Sequence, residues 1–389
     1  MSGAGTVVGL FAGIGGVELG LHKHGWSTEL LCEIDPGAQA VLKAHFPDIA
    51  QTPDVTKLRA LPQNTELVAA GFPCQDLSQA GRTVGIGGER SGLVDHVFRL
   101  ITRKRGPRWL LLENVPFMLQ LDRGRGMHHL VTELESLGYA WAYRVVDARS
   151  FGLPQRRLRV LMLASRTEDP REVLFNQDVG EPPSDDPDRR ACGFYWTEGV
   201  RGLGWAVDAV PTIKGGSSIG IASPPAIRLT GGRGIVTPGI TDAERLQGFA
   251  ANWTLPALEV PGARVGHRWK LVGNAVSTLM SDWVGAQLAN PQPYSGSADR
   301  PLTPGEAWPV AAWGKDGVAY EANLTRWPQQ MPYEHLEEFI REPNQLSARA
   351  TAGFLRRARA STLRFIPGFL DDVEKHLFQM GGDPRQVVA

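Results

Sequence analysis

Apolar and polar positions alternate in two rhythms over the first 165 residues. Apolar runs of strand length occupy 6–11, 28–35, 67–74, 109–115, 142–148 and 159–164. Helical periodicity lies between them, over 15–25, 36–46, 91–104 and 127–138. Strands that alternate with helices predict an α/β fold, with a doubly wound, mostly parallel sheet and helices on both faces. In such sheets a ligand binds at the carboxyl ends of the strands.

The pattern changes at about residue 166. The following hundred residues are rich in proline, glycine and polar side chains and lack a helical period, which predicts a smaller, irregular domain. A helical pattern returns over 274–289, and 289–308 has the composition of a linker. We therefore expect three parts: a first domain from 1–165 plus 268–290, the irregular domain 166–267, and a C-terminal extension, 291–389, of uncertain role.

Composition places the chain among globular proteins. Hydrophobic residues make up 42% and charged residues 21%, and no apolar run is long enough to span a bilayer. Cys32, Cys74 and Cys192 are too few for a disulfide framework and lack the spacing of a metal site, so we expect a cytoplasmic protein without a metal. Net charge is zero, yet twelve Lys and Arg stand against five acidic residues over 99–159, which allows a basic surface for nucleic acid.

A glycine motif, FAGIGG, follows the first predicted strand and precedes a helix. Gly13 and Gly15 allow a tight turn that brings the backbone close to a ligand. A dinucleotide fingerprint would need a third glycine where Glu18 stands, and Glu33 ends the next strand, where an acid can bond ribose hydroxyls. The pattern suits an adenosine without a pyrophosphate better than it suits NAD, although a purely structural turn would look the same.

A cysteine motif, GFPCQDLS, ends another strand of the same predicted sheet. Pro73 stiffens the backbone before Cys74, whose thiol would then face the ligand crevice. A buried, inert cysteine is the alternative. The polar, glycine-rich residues 79–92 that follow suit a mobile lid.

Two further motifs place charges near strand ends. Glu113 in ENV follows the apolar run WLLL, where a carboxylate is costly unless it has a task or a partner. We therefore expect either a catalytic acid or a structural ion pair there. In PQRRLRV, Arg157 and Arg159 alternate as on one face of a strand, which fits either a site or a solvated basic face.

Taken in order, these motifs resemble the bacterial DNA cytosine-5 methyltransferase family. The series is FAGIGG, Glu33, Asp54 in PDVT, GFPCQ, ENV, QRRLR, AERLQGF at 243–249 and GNAV at 273–276. The resemblance covers about residues 6–165 and 237–290. It implies a Rossmann-like fold that binds S-adenosylmethionine, with 166–267 as a target-recognition domain for duplex DNA.

The resemblance also implies a mechanism and a set of site residues. Cys74 would add to carbon 6 of a cytosine flipped out of the duplex, which activates carbon 5 for methylation. Glu113 would hydrogen-bond or protonate ring nitrogen 3, and Arg157 and Arg159 match a pair of arginines of which one contacts the base. Cofactor contacts would fall on Phe11, Gly13, Gly15, Glu33, Asp54, Pro73, Leu93, Asn274 and Ala275. Gly9 departs from the family, because many members carry a polar residue there, so one cofactor contact is in question.

The expected partners are double-stranded DNA and a cognate restriction nuclease that acts separately, and the protein is expected to be a monomer associated with the nucleoid. Four basic residues among the glycines of the irregular domain could reach bases or phosphates: Arg201, Lys214, Arg228 and Arg233. In the C-terminal extension, the arginine-rich segment 354–365 predicts either a helix packed on the catalytic domain or a clamp that binds DNA phosphates.

Three other functions compete with this interpretation. A tRNA cytosine methyltransferase is disfavoured by the long variable region between QRRLR and AERLQGF, because sequence readout on DNA needs a dedicated domain. A catalytically silent DNA-binding relative is disfavoured by the intact Cys74, Glu113 and arginine pair. A nicotinamide oxidoreductase is disfavoured by Glu18 and by the reactive-looking cysteine.

Overall fold

The fold is given by a computed structural model, which describes residues 5–73, 92–102, 106–198, 200, 202–215, 223–303 and 305–387. Its strands are β1 Gly5–Leu10, β2 Trp26–Cys32, β3 Ala50–Thr52, β4 Thr65–Ala70, β5 Trp109–Asn114, β6 Ala140–Asp147, β7 Gln155–Arg156, β8 Leu158–Ser165, β9 Cys192–Phe194, β10 Ala206–Val207, β11 Val210–Pro211, β12 Ala226–Arg228, β13 Ile235–Thr237, β14 Arg300–Pro301, β15 Ala311–Lys315, β16 Val318–Glu321 and β17 Asn344–Gln345. Its α-helices are α1 Gly16–His22, α2 Pro36–His45, α3 Leu93–Ile101, α4 Arg125–Ser136, α5 Arg171–Leu174, α6 Ile240–Arg245, α7 Val265–Asn274, α8 Thr278–Ala289, α9 Leu336–Phe339, α10 Ala348–Arg359 and α11 Phe369–Gln379.

The large sheet contains ten of the described strands, in the order β14-β16-β15-β6-β8-β5-β4-β1-β2-β3. From β3 to β5 every neighbouring pair is parallel, and β8 is inserted antiparallel between β5 and β6. Apolar clusters cover both faces, as expected for strands that have helices on each side. The predicted α/β fold class is confirmed, and the six predicted strands match β1, β2, β4, β5, β6 and β8.

Helix α8 returns the chain to the N-terminal glycine motif. It lies so close to α1 that a side chain at Gly20 would meet the backbone of Asp282 at 2.5 Å. Only a glycine on α1 allows this approach, because any β-carbon would collide. The first helix and the last helix of the predicted catalytic region therefore form one packed unit.

The small sheet has the order β10-β9-β12-β13-β17, and each of its strands is two or three residues long. Four of these strands lie in the segment that the sequence predicted to be irregular. They were not predicted, because strands this short show no detectable alternation of apolar and polar residues. One face of the sheet packs against α6, α7 and α9. The other face packs against α10 and α11, through Phe354 and Phe369 among others.

The C-terminal extension contributes to both sheets. β14, β15 and β16 extend the large sheet beside β6, so part of the segment expected to be a linker is a strand. β17 then pairs with β13 of the small sheet. The sequence suggested that the arginine-rich helix α10 packs on the catalytic domain. In the structure it packs on the small sheet instead. Within the described residues, no helix is long and apolar enough to cross a membrane.

Candidate active site

The glycine motif forms a tight turn between β1 and α1. Phe11, Gly13 and Gly15 all have positive φ, of 56°, 56° and 84°. A side chain at Gly15 would overlap the ring of Phe46, whereas a β-carbon at Gly13 would meet nothing within 4 Å. The turn therefore packs against the protein at Gly15 and leaves open space above Gly13, where a ligand can approach the backbone.

Glu33 follows β2 and is tied to this turn. Its carboxylate accepts hydrogen bonds from the backbone N–H groups of Gly13 at 2.7 Å and Asp35 at 2.8 Å. Burial raises the pKa of Glu33, and these two hydrogen bonds act in the opposite direction. The next residue, Ile34, is 72% exposed, which is unusual for a large apolar side chain beside a buried carboxylate. The turn and the acid that the sequence predicted to share a ligand are thus in direct contact.

Glu18 is a site feature that the sequence reading missed. Its side chain is 1% exposed, and its Oε2 atom has no hydrogen-bond partner among the described residues. A β-carbon at Gly9 would overlap the Glu18 carboxylate, so this carboxylate occupies the space that a side chain at Gly9 would fill. Burial, together with the charge of Glu33, raises the pKa of Glu18 to about 7. The carboxylate of Glu18 on α1 therefore lies against β1 at the position where the family resemblance leads us to expect a polar side chain.

Asp54 lies just beyond β3, the strand that pairs with β2. The strands β2 and β3 pair up to Cys32 and Thr52, and the Glu33 N–H donates to the Thr52 carbonyl at 3.1 Å. Asp54 accepts hydrogen bonds from the Thr56 hydroxyl and N–H, which lower the pKa of its carboxyl. Two predicted cofactor acids therefore end neighbouring strands, as the doubly wound fold requires.

The segment before the cysteine is fixed to the ENV motif. Asn114 donates from Nδ2 to the Phe72 carbonyl at 2.9 Å, and a β-carbon at Gly71 would lie 3.5 Å from the Glu113 carboxylate. Pro73 is the last described residue of this segment, and it is exposed. Cys74, the predicted nucleophile, lies outside the described residues, as does most of the predicted lid.

Glu113 and Arg159 form a close ion pair. The distance from Glu113 Oε1 to Arg159 Nε is 2.6 Å, and the two side chains are 12% and 8% exposed. Burial lowers the pKa of Arg159, and the Glu113 carboxylate opposes this effect. The structural ion pair that the sequence left open as an alternative is therefore present, and it joins two residues that were both predicted to be catalytic.

Arg157 has a different environment, although the sequence placed it on the same face as Arg159. It lies between β7 and β8, is fully buried, and has no carboxylate partner among the described residues. Its guanidinium donates to the carbonyls of Ile213 at 3.2 Å, Gly273 at 3.1 Å and Ala275 at 2.7 Å. Burial lowers the pKa of Arg157 well below its usual range. The hydrogen bonds of Arg157 therefore connect the start of β8 to Ile213 and to the junction between α7 and α8.

The remaining predicted cofactor residues lie around the same turn. Leu93 and Phe11 pack against the same apolar cluster. A β-carbon at Gly16 would overlap the Val276 carbonyl, so the GNAV segment lies directly against the start of α1. Within that segment Ala275 is buried and Asn274 is exposed. Among the described residues, no group of three or more His, Cys, Asp or Glu side chains is arranged to hold a metal ion.

Comparison with known proteins identifies the family. The model for C-5 cytosine-specific DNA methylase matches residues 5–190. The Type II methyltransferase M2.BsuMI of Bacillus subtilis is 49% identical over 380 residues, which are 95% of this chain and 97% of that protein. The chain belongs to the C-5 cytosine-specific DNA methylase family. It is accordingly an enzyme that methylates carbon 5 of cytosine, and the resemblance seen in the motifs is confirmed.

Other relatives of this methylase show how the similarity is distributed. The Type II methyltransferase M.DsaV of Dactylococcopsis salina is 34% identical, but only over 43% of this chain and 48% of its own length. The crystal structure of the S. pombe Dnmt2 methyltransferase covers 73% of this chain and 98% of its own, with a TM-score of 0.50 and 15% identity. That likeness supports the fold alone. The match to the Bacillus protein, in contrast, includes most of the C-terminal extension.

The basic residues suggested for DNA readout in the methylase are largely paired. Lys214 is bonded to Glu198 and lies 3.8 Å from the centre of the Tyr195 ring. Arg228 pairs with Asp372 of α11 at 2.5 Å, and Arg233 pairs with Glu337. Arg201 lies outside the described residues.

The AERLQGF motif of the methylase forms a buried hydrogen-bond network that could not be predicted from its sequence. The buried Glu244 carboxylate binds Arg268 at 2.9 Å and accepts the N–H groups of Asn252 and Thr254. Gln155 of QRRLR similarly bridges the Leu246 carbonyl and the Ile213 N–H. The first network joins α6 to α7, and the second joins β7 to Leu246 and Ile213. Only knowledge of the tertiary contacts could have revealed them.

Proposed function

We propose that this methylase transfers a methyl group from S-adenosylmethionine to carbon 5 of a flipped cytosine in a specific duplex DNA sequence, through a covalent Cys74 adduct at carbon 6. One observation carries the proposal. The Glu113–Arg159 pair, at 2.6 Å, lies at the carboxyl end of β5 beside the Gly71–Pro73 segment that leads to Cys74. An acid held next to a nucleophile's loop suits attack on a heterocycle that must gain a proton.

The residues around the glycine turn fit S-adenosylmethionine. Glu33 keeps carboxylate lone pairs for ribose hydroxyls, since each oxygen accepts one hydrogen bond from the protein. The exposed Ile34 offers an apolar surface to an adenine ring, and the space above Gly13 allows the ligand to approach the backbone. Asp54, Leu93 and Phe11 would complete the adenosine side, and Pro73, Asn274 and Ala275 the other end. When bound, the sulfonium supplies the methyl group.

The two described cysteines support Cys74 as the nucleophile. Burial raises the pKa of the Cys32 thiol to about 12 and that of the Cys192 thiol to about 11. Both thiols are also buried, at 2% and 0% exposure, so neither is accessible to a base. The chain has three cysteines, so Cys74 is the remaining candidate.

In the proposed reaction the Cys74 thiolate adds to carbon 6, which moves electron density through the ring to carbon 5 and nitrogen 3. Glu113 hydrogen-bonds or protonates nitrogen 3, and Arg159 orients Glu113 and stabilises the negative charge. After methylation, loss of the carbon 5 proton breaks the Cys74–carbon 6 bond and restores the aromatic ring. The buried Arg157 acts through position, because its three carbonyl bonds hold the strand that carries Arg159.

A stacked base shields both faces of its ring, so this chemistry requires base flipping. The DNA is proposed to lie between the two sheets, where a cavity of about 960 Å³ opens beside Arg159. The small sheet would supply sequence readout, which favours DNA over tRNA. We propose that the protein acts as a cytoplasmic, nucleoid-associated monomer, with any cognate nuclease acting separately.

The covalent step can be tested directly. Duplex DNA that carries 5-fluorocytosine in its target site should form a stable adduct with the wild-type protein and S-adenosylmethionine, because fluorine blocks the final proton loss. The C74A variant should form none, whereas C192A should react like the wild type. Methyl transfer to tRNA but not to duplex DNA would contradict the assignment of DNA as the substrate. An adduct with C74A would contradict the assignment of Cys74 as the nucleophile.

A further inference from the structure

The cavity beside Arg159 has a third wall that belongs to neither sheet. We call residues 323–335, between β16 and α9, the strap. Arg326, Trp327, Gln330, Tyr333 and His335 of the strap all line the cavity. The cavity is also lined from the large sheet, by Asp147 and Leu158, and from the small sheet, by Ala206 and Val207. The strap lies beyond the region that gave the sequence its resemblance to known methyltransferases.

The strap is fixed at both ends. Near its start, the Arg326 carbonyl accepts the Asp147 N–H at 3.1 Å, and the Trp327 carbonyl accepts the Val179 N–H at 3.0 Å. Near its end, Asp208 accepts hydrogen bonds from Tyr333 at 3.1 Å and from the Leu336 N–H at 2.9 Å, and it lies 2.6 Å from His335. Backbone contacts with the large sheet and side-chain contacts with the small-sheet region therefore hold it as a preformed wall.

Two guanidinium groups on the cavity wall have no acidic partner among the described residues. Arg326 makes no side-chain hydrogen bond there, and its buried Nε is without an acceptor. Arg156 likewise has no ion pair, and burial lowers the pKa of its guanidinium. The buried Nε of Arg326 is a donor without a partner, which is costly, and Arg156 is a guanidinium without an ion pair, so both positions are suited to an anion that enters from solution.

The acidic side chains of the cavity form no ion pair with Arg156 or Arg326 among the described residues, although the charge of Asp147 also acts on Arg156. Asp147 binds Arg149 at 2.8 Å, and the charge of Glu181 acts on the same arginine. The charge of Asp185 acts on Tyr333, whose pKa is raised mainly by burial. The anion-binding capacity of the cavity therefore lies with Arg156 and Arg326, and the aromatic rings around them suit nucleotides more than a simple anion.

We infer that the strap is a DNA-binding wall of the cleft, and that Arg326 binds a backbone phosphate of the duplex opposite the one bound by Arg156. The inference rests on the proposed function, because it takes DNA as the occupant of the cavity. It assigns a role in substrate binding to part of the C-terminal extension. The chain would thus hold its DNA from three sides.

The test is the salt dependence of DNA binding. Loss of one phosphate contact reduces the slope of log affinity against log salt by about 0.9. We expect this reduction in R326Q, a similar one in R156Q, and about 1.8 in the double variant. R326K should keep the wild-type slope, since it keeps the charge. R385Q is the matched control, because Arg385 is an exposed arginine paired with Asp383 and does not line the cavity.

Thermal unfolding and calorimetry with S-adenosylmethionine establish that each variant is folded. A wild-type slope in folded R326Q would overturn the inference, as would an R326K variant whose slope falls as far as that of R326Q. The proposed function fails separately, if the wild-type protein binds S-adenosylmethionine but neither binds nor methylates the duplex.

Discussion

The large sheet and the small sheet are built in opposite ways. The strands from β1 to β8 that form the centre of the large sheet come from one stretch of 161 residues, and most are six to eight residues long. The small sheet has strands of two or three residues, and its edge strand β17 lies about a hundred residues after its neighbour β13. The first is specified by local pattern, and the second by contacts between distant parts of the chain.

The same contrast appears in how the two regions are stabilised. The large sheet buries continuous apolar strands under helices on both faces. The small sheet depends on helices from the C-terminal extension, which cover a face containing Phe194, Ala226 and Ile235. The chemistry is therefore proposed to lie on a self-sufficient frame, and sequence readout on a module that the end of the chain completes.

The largest expected effect is on the chemistry of the large sheet. Glu113→Gln should reduce methyl transfer by about 10²- to 10⁴-fold, since general acid catalysis typically contributes this much. Calorimetric affinity for S-adenosylmethionine should change little, because Glu113 lies with Arg159 and not at the glycine turn. A variant within threefold of wild-type activity would reduce Glu113 to a structural partner of Arg159.

The next effect separates the stabilities of the two sheets. Phe369 is fully buried and contacts the rings of Phe194, Trp205 and Phe354, so Phe369→Ala should destabilise the small sheet by about 3–5 kcal/mol. Hydrogen exchange should accelerate in β9, β12 and β13 but not in β1 and β4. Phe378→Ala is the matched control, because Phe378 is on the same helix but 73% exposed. Equal acceleration in both sheets would contradict the contrast.

A smaller effect is expected at the glycine turn, where we propose that the cofactor binds. Glu33→Ala should weaken S-adenosylmethionine binding by about 10- to 150-fold, through loss of a hydrogen bond to a charged acceptor worth about 1.5–3 kcal/mol. The variant also loses the hydrogen bond that the Gly13 N–H donates to the Glu33 carboxylate. Glu33→Gln, which keeps the size and one acceptor, should lose less. Unchanged calorimetric affinity in folded E33A would remove Glu33 from the cofactor site.

The smallest effect concerns the arginines of α10 and Arg364, which follows this helix. Arg357 and Arg359 donate to the carbonyls of Trp196, Glu198 and Pro384, so they serve packing. Arg356 and Arg364 are exposed. We expect the double variant R356A/R364A to keep the wild-type salt slope of DNA binding. A slope lower by about 0.9 per arginine would instead support the phosphate clamp that the sequence left open.

The sequence predicted the large sheet better than the small sheet, for the same reason. Strands such as β5 and β8 could be predicted because a long apolar run bounded by polar residues has few alternatives. The glycine motif and the acid at the end of the next strand predicted that Gly13 and Glu33 contact one ligand, but their direct hydrogen bond was not predicted. The small sheet could not be predicted, since two-residue strands have no period and β17 depends on a distant partner.

Two site residues show the limit in more detail. Glu18 was read only as a missing glycine, because nothing in the sequence shows that α1 directs this side chain over Gly9. Arg157 and Arg159 were placed on one face of a strand by a period of two. Their surroundings differ because the strand is interrupted at Arg157, between β7 and β8. In both cases the deciding contact depends on the three-dimensional path of the chain, which the local pattern of apolar and polar residues does not reveal.

The most direct test of the division between the two sheets is a graft into a family member that has similarity along the full chain and methylates a different sequence. We expect transfer of 166–267 together with 336–387 to give an active chimera that methylates the site of this protein, as mapped by bisulfite sequencing. Transfer of 166–267 alone should give an unstable or inactive protein, because the face that packs on α10 and α11 is left without its matched helices. An active chimera with both segments that still methylates the host's sequence would contradict the account.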